Sequence, residues 1–341
     1  MKIDAGLHGE LADVSAKARR LEAAGFDGAF SYEVAHDPFL PLAIAATVTE
    51  RITLGTSIAV AFARNPMTLA IVASDLHRLS RGRFVLGIGS QIKPHITKRF
   101  SMPWSHPAAR MREMVLAIRA IWSTWTDGVP LQFRGEYYRH TLMTPMFDHG
   151  PSPFGCPPIF VAAVGPAMTA VAGEVADGLV AHAFTTPDYF RDVTLPHVER
   201  GLSASGRTRA DLQITMPIFA VIGRDEAEVA AKAVGTRRQI AFYGSTPAYR
   251  GVLEHHGWGE LGDELNRLSK QGEWQRMGEI IDDDVLRAFA AVGDAPTVAA
   301  EIVRRYGGLL DRVQLGVDIS GAGDGDVGES DAELVSALRA R

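Results

Sequence analysis

The side chains best placed to do chemistry are Glu33 and His36, which follow the apolar run Gly28-Ala29-Phe30-Ser31-Tyr32 together with Asp37. A carboxylate and an imidazole at the end of a strand supply a general acid or base. Asp37 precedes Pro38 and reads instead as a helix N-cap followed by proline at the first helical position. Two structural alternatives stand beside the catalytic ones: a rim carboxylate paired with a neighbouring cation for Glu33, and a hydrogen-bonded loop histidine for His36.

Glycine marks the other candidate positions. Gly87-Ile88-Gly89 leads into Ser90 and Gln91, while Gly165-Pro166-Ala167-Met168 closes one strand signal and opens a helix expected from Met168 to Ala176. The first N–H groups of a helix lack partners within it and bind anions. Two such turns on adjacent strands point to one phosphate-bearing cofactor, with two tight turns as the alternative. Lys93, Lys98 and Arg99 form a local basic group in the following loop, either a contact for an acidic ligand tail or a solvated face. No metal is expected, because His255-His256 are adjacent and no His-x-x-x-His or Cys-x-x-Cys pair occurs. Serine-hydrolase chemistry is disfavoured too: no Gly-x-Ser-x-Gly elbow occurs, and Ser57 sits in an apolar strand. Cys156 is the only cysteine and reads as a small buried or loop residue.

These residues need a scaffold that brings strand ends together. Strand signals at Ile3 to Leu7, Gly28 to Tyr32, Ile52 to Ala61, Arg83 to Gly89, Pro158 to Val164, Gly178 to Ala183, Gln213 to Ile222 and Arg312 to Val317 alternate with apolar residues at helical spacing. Helices are expected from Ala12, Pro38, Pro66, Ala108, Met168, Pro187, Asp225, Val298 and Asp331. Eight βα units without a linker favour a single closed (β/α)8 TIM barrel over residues 1–341 rather than a doubly wound sheet, with the site at the C-terminal strand ends. The rhythm breaks at Asp127 to Pro157, where a hairpin closes around Gly135, and at Pro247 to Asp284, where short helices are expected. These two insertions are candidates for a lid or a specificity element. The Gly321 to Ser330 run has acidic spacing that does not fit an EF-hand and reads as a solvated connector.

Composition narrows the class. The 341 residues are 46% hydrophobic and 22% charged, with 35 basic and 40 acidic side chains for a net charge of −5. Such a chain folds, and it has no basic excess for nucleic acid. The N-terminus lacks a signal-peptide core and no apolar run reaches membrane-spanning length, so a cytoplasmic protein without a membrane partner is expected.

Several segments together resemble one known family. Glu50 to Ile58 (Glu-Arg-Ile-Thr-Leu-Gly-Thr-Ser-Ile), Arg64-Asn65-Pro66-Met67-Thr68-Leu69-Ala70, Leu79-Ser80-Arg81-Gly82-Arg83 through Gly89, and Gly173-Glu174-Val175-Ala176-Asp177-Gly178 after Val164-Gly165-Pro166 are similar to the bacterial luciferase-like family of flavin and deazaflavin oxidoreductases. The likeness runs from Leu7 to about Val317 and implies a TIM barrel with insertions. The wording of these segments looks most like the branch that uses the deazaflavin coenzyme F420. That implies hydride transfer to or from a small organic substrate, with Glu33 or His36 moving the proton, although the compact Ser-Asp-His of the sugar-phosphate enzymes is absent. It further implies a non-prolyl cis peptide at Ser57-Ile58. It places Thr56, Ser57, Ile58, Gly89, Ser90, Gln91, Gly165, Pro166, Ala167 and Met168 around the cofactor. A homo-oligomer, dimer or tetramer, is the expected assembly. The alternatives are a reduced-FMN monooxygenase served by a partner reductase, and a cofactor-holding barrel without turnover.

Overall fold

The computed structural model of the chain describes residues 1–315 and 329–341. Its first helices show how local sequence sets the elements. The strand β1 (Lys2–Gly6) leads to α1 (Val14–Ala23), β2 (Gly28–Ser31) to α2 (Leu40–Val48), and β3 (Thr53–Thr56) with its short continuation β4 (Ala59–Val60) to α3 (Pro66–Leu79). Asn65 caps α3 by accepting from the Thr68 N–H at 3.0 Å, Pro66 takes the first helical position, and Arg81 and Gly82 at positive φ end it. Next come β5 (Phe84–Gly89) and α4 (Pro107–Asp127), whose Met111, Met114, Val115, Ile118, Ile121, Trp122 and Trp125 recur at helical spacing on the buried face.

The hairpin β6 (Phe133–Arg134) and β7 (Arg139–His140) follows, then β8 (Ile159–Ala163), α5 (Pro166–Val175) and β9 (Gly178–Ala181). After the single turn α6 (Pro187–Tyr189) and α7 (Leu195–Ala204), β10 (Gln213–Pro217) returns to the barrel. The next strand, β11 (Phe219–Ile222), leaves it and is followed by α8 (Glu226–Gly244), α9 (Arg250–His255), α10 (Gly259–Gln271), α11 (Trp274–Glu279), α12 (Asp283–Phe289) and β12 (Ala290–Gly293). The chain closes with α13 (Ala295–Tyr306), β13 (Arg312–Leu315) and α14 (Glu329–Arg339).

Parallel pairing runs β3-β2-β1-β13-β10-β9-β8-β5, and β5 pairs back onto β3, so eight strands close a barrel. Side chains alternate across its wall. Ile3, Leu54, Phe84, Leu86, Ile88, Val161, Leu179, Ile214 and Val313 join the large cluster under the helices, while Val85, Phe160 and Val180 form a separate interior cluster. Asp4 and Arg312 are 0% and 3% exposed and meet in two hydrogen bonds of 2.6 and 2.8 Å. Gly28 makes room for them, since a Cβ there would stand 2.4 Å from the Asp4 carboxylate and 2.7 Å from the Arg312 guanidinium.

Several boundaries differ from the sequence expectation, among them the helix expected from Val298, which starts at Ala295 behind the Asp294 cap. The Ile52 to Ala61 signal is two strands, separated at the cis Ser57–Ile58 peptide. The Gln213 to Ile222 signal splits at Ile218, because β10 pairs with β9 and β13 whereas β11 pairs in parallel with β12. The helix expected from Met168 starts at Pro166, with Gly165 at its N-cap. The helix expected from Pro38 starts at Leu40, because Asp37 accepts instead from the N–H groups of Phe39 and Leu40 at 2.8 and 3.3 Å. The Gly321 to Ser330 connector and the end of the Arg312 to Val317 strand fall wholly or partly outside the described residues.

Residues 219–293 build a cap with its own apolar cluster, including Phe219, Tyr243, Leu253, Leu265, Met277 and Phe289. Phe184, from the loop after β9, stacks on Phe289 at 4.6 Å, and Thr186 hydrogen-bonds His256 at 2.7 Å. The cap is thereby fastened to the C-terminal ends of the strands. No helix among the described residues is long and apolar enough to cross a membrane.

Candidate active site

Glu33 lies just past β2, and its carboxylate is committed. One oxygen accepts from the Val60 N–H at 2.7 Å and from Arg64 at 2.5 Å, and the side chain is 7% exposed. Arg64 also reaches Asp37 at 3.3 Å. The Glu33 N–H donates to the Ile58 carbonyl at 3.1 Å and the Ser57 N–H to that of Ser31 at 2.6 Å. The ends of β2 and β3 are thus knitted together, and Glu33 takes the geometry of a rim carboxylate paired with a cation. His36 stands on the exposed loop beyond it. A surface cleft of about 690 Å³ beside Asp37, Phe39, Arg64 and Met102 lies between the starts of α2 and α3, on the outer flank of this network.

The residues around Ser57-Ile58 divide by what they touch. The Thr56 hydroxyl is buried and bridges strands, donating to the Gly87 carbonyl at 2.6 Å and accepting from the Gly87 N–H at 3.0 Å. Ser57 donates to Gln314 at 3.1 Å, and Gln314 donates in turn to Thr215 at 3.4 Å, a polar chain inside the barrel wall. Ile58 packs on Gly89, where a Cβ would approach two Ile58 side-chain carbons at 3.0 Å, and against the Val85–Phe160–Val180 cluster. Ile58 therefore sits at the top of the interior column, with glycine beneath it.

Across the mouth, α5 begins without a side-chain cap. Pro166 has no N–H, the Thr169 N–H turns back to the Gly165 carbonyl at 3.0 Å, and the Ala167 and Met168 amides have no protein acceptor among the described residues. Gly165, Pro166 and Ala167 are exposed, and a Cβ on Gly165 would meet nothing within 4 Å. The helix start thus offers two directed N–H donors with open space before them. Half-buried Ser90 and Gln91 close the end of the neighbouring β5, with Gln91 at φ 59°. Exposed Lys93 follows, then Lys98 and Arg99, which stand in the short helical turn His95–Arg99 rather than in a loop, and Arg99 donates to the Val34 carbonyl. Among the described residues no cluster of three or more His, Cys, Asp or Glu is arranged to hold a metal; His255 pairs instead with Asp192.

Sequence reasoning missed the polar pair nearest the cap. His182 follows β9 directly. Burial holds its imidazole down to about 4, so the ring is neutral at ordinary pH. Its Nδ1 accepts from the Phe184 N–H at 3.0 Å, which leaves the proton on Nε2, facing the Tyr249 hydroxyl at 3.2 Å. The two rings stack at 4.6 Å, and Tyr243 meets His182 edge-on at 4.7 Å. Burial raises the phenols of both Tyr243 and Tyr249, and a hydrogen bond with Gln239 opposes the rise at Tyr243. His8, at the end of β1, lies 5.2 Å from the Tyr32 ring. The strand-end position of His182 was a usable signal. The Tyr249 contact, spanning 67 residues, had none.

Known proteins share this architecture and sequence. The family model described as luciferase-like monooxygenase matches residues 3–312. An uncharacterized protein of Mycobacterium tuberculosis (strain ATCC 25618 / H37Rv) is 54% identical over 313 residues, 92% of each chain. An F420-dependent glucose-6-phosphate dehydrogenase of Intrasporangium calvum is 30% identical over 87% of this chain and 85% of its own. Among solved structures, the coenzyme F420 dependent tetrahydromethanopterin reductase from Methanopyrus kandleri superposes with a TM-score of 0.78 at 21% identity, covering 98% of this chain and 96% of that one.

Proposed function

This chain belongs to the luciferase-like monooxygenase family, and within it we propose an oxidoreductase that uses the deazaflavin coenzyme F420 on a small organic substrate. The observation that carries this reading is the relative named F420-dependent, 30% identical along 87% of the chain. The donor set at the mouth fits the coenzyme: the uncapped Ala167 and Met168 amides beside exposed Gly165 suit its phosphate. Bound there, a deazaflavin supplies a carbon centre that gives or takes hydride and reacts sluggishly with oxygen.

The chain's own residues perform the remaining tasks. Ile58, seated on Gly89, presents an apolar surface at the top of the interior column, and Ser90 and Gln91 border the anion site. The exposed lysines at 93 and 98 attract an acidic tail. Proton transfer falls to His36 or Glu33. Glu33 is anchored by Arg64 and Val60, which makes His36 the freer of the two.

Titrating the full chain with F420 and FMN in parallel tests the reading. The expected result is saturable quenching of deazaflavin fluorescence with weaker or absent FMN binding. Retention of FMN with FMN-dependent oxygen consumption overturns it in favour of the monooxygenase reading, which the family's description supports.

A further inference from the structure

Between the ends of β8 and β9, the α6 turn and the cap segment 248–252 lies a cleft of about 30 Å³, walled by Val164, Phe184, Phe190 and Val252, with hydroxyl side chains from Thr185, Tyr189 and Thr194 beside the His182–Tyr249 pair. No Lys, Arg, Asp or Glu lines it. Residues 316–328, which follow β13, contain no Lys or Arg either, so they bring no cation.

The hydrogen bonds fix what the cleft offers. Because His182 Nδ1 already accepts from Phe184, its Nε2–H donates to the Tyr249 oxygen. The Tyr249 proton is then left over, and the hydroxyl has no further partner among the described residues. A donor in an aromatic cleft of this size complements a single oxygen atom. An anion there would lose its hydration with no countercharge to replace it.

We propose that this cleft seats the oxygen of an uncharged carbonyl or alcohol compound on the Tyr249 hydroxyl and rejects phosphorylated substrates. The proposal rests on the preceding reading only in taking the mouth as the substrate pocket. The rest of the ligand stays toward the barrel mouth, and Tyr249 sets specificity.

The test uses the full chain with acetophenone carrying ¹³C at its carbonyl, and phenyl phosphate as the anionic counterpart, each with and without F420. A hydrogen bond to Tyr249 shifts the bound carbonyl resonance downfield. Tyr249→Phe, which keeps the stacked ring, should abolish that shift and weaken acetophenone binding about tenfold. Absence of the shift in the wild-type protein overturns the proposal, as does tighter binding of phenyl phosphate than of acetophenone. F420 binding is read separately from deazaflavin fluorescence. A carbonyl shift without F420 binding supports this inference while removing the functional reading, and F420 binding without a carbonyl shift does the reverse.

Discussion

At the floor of the barrel, Asp4 and Arg312 close on each other through two hydrogen bonds, both side chains essentially out of solvent. At the mouth, the Tyr249 hydroxyl accepts from His182 and keeps a proton to donate, and the first amides of α5 have no protein acceptor among the described residues. The two ends of one fold differ in whether their hydrogen-bonding capacity is satisfied internally. A saturated pair resists water and ligand alike, so it stabilises. Groups with capacity left over can bind, and here they gather at the strand ends. Glu33 and Arg64 show that position alone does not decide this, since they stand at the mouth yet one Glu33 oxygen is already held by Arg64 and the Val60 N–H.

Halving the floor pair should have the largest effect. Asp4→Asn leaves the buried Arg312 guanidinium without its hydrogen-bonded carboxylate and should lower stability by about 3–5 kcal/mol in urea unfolding. Replacing both partners with apolar residues, Asp4→Leu with Arg312→Met, should cost less than the single change. A single variant as stable as the wild type would mean that water reaches the floor.

Acid titration probes the other end. His182 falls from its ordinary 6.5 to about 4 on folding, so between these values the unfolded chain binds the extra proton. Stability should therefore fall as pH drops from about 6.5 to 4, by on the order of 3 kcal/mol. His182→Asn should flatten that part of the stability profile, and an unchanged profile would place the titration elsewhere.

Glu33→Gln and His36→Asn separate anchor from acid or base. Glu33→Gln weakens a charge-assisted contact and should cost about 1–2 kcal/mol of stability. Loss of turnover by about 10²-fold or more should appear in only one of the two, and we expect His36→Asn. Normal turnover in both would remove the proton-transfer role from this loop. The smallest effect on folding belongs to Gly165→Val, because nothing lies within 4 Å of the new Cβ and φ is −91°. Its thermal midpoint should stay near wild type while cofactor affinity falls.

Legibility in the sequence followed the range of the interactions. The α3 boundaries could be read directly, since Asn65, Pro66 and Gly82 are local signals. The barrel was legible because strand and helix periods alternate eight times, and the hairpin because Gly135 punctuates it. Residues Gly165 to Met168 were legible as a helix start, though shifted by two positions. The anchoring of Glu33 was hidden because its partners lie 27 and 31 residues away. The departure of β11 toward β12 was hidden because the partner of Phe219 to Ile222 is Ala290 to Gly293, about 70 residues on beyond the cap helices. Tyr249 was hidden in an insertion whose pattern reports only short helices.

If the start of α5 receives the phosphate of F420, the backbone amides of Ala167 and Met168, followed by ¹⁵N NMR as the coenzyme is added, should both move and saturate together with the deazaflavin fluorescence. Phosphate-free riboflavin should move neither. Saturable F420 binding that leaves both amides in place would contradict that placement of the phosphate.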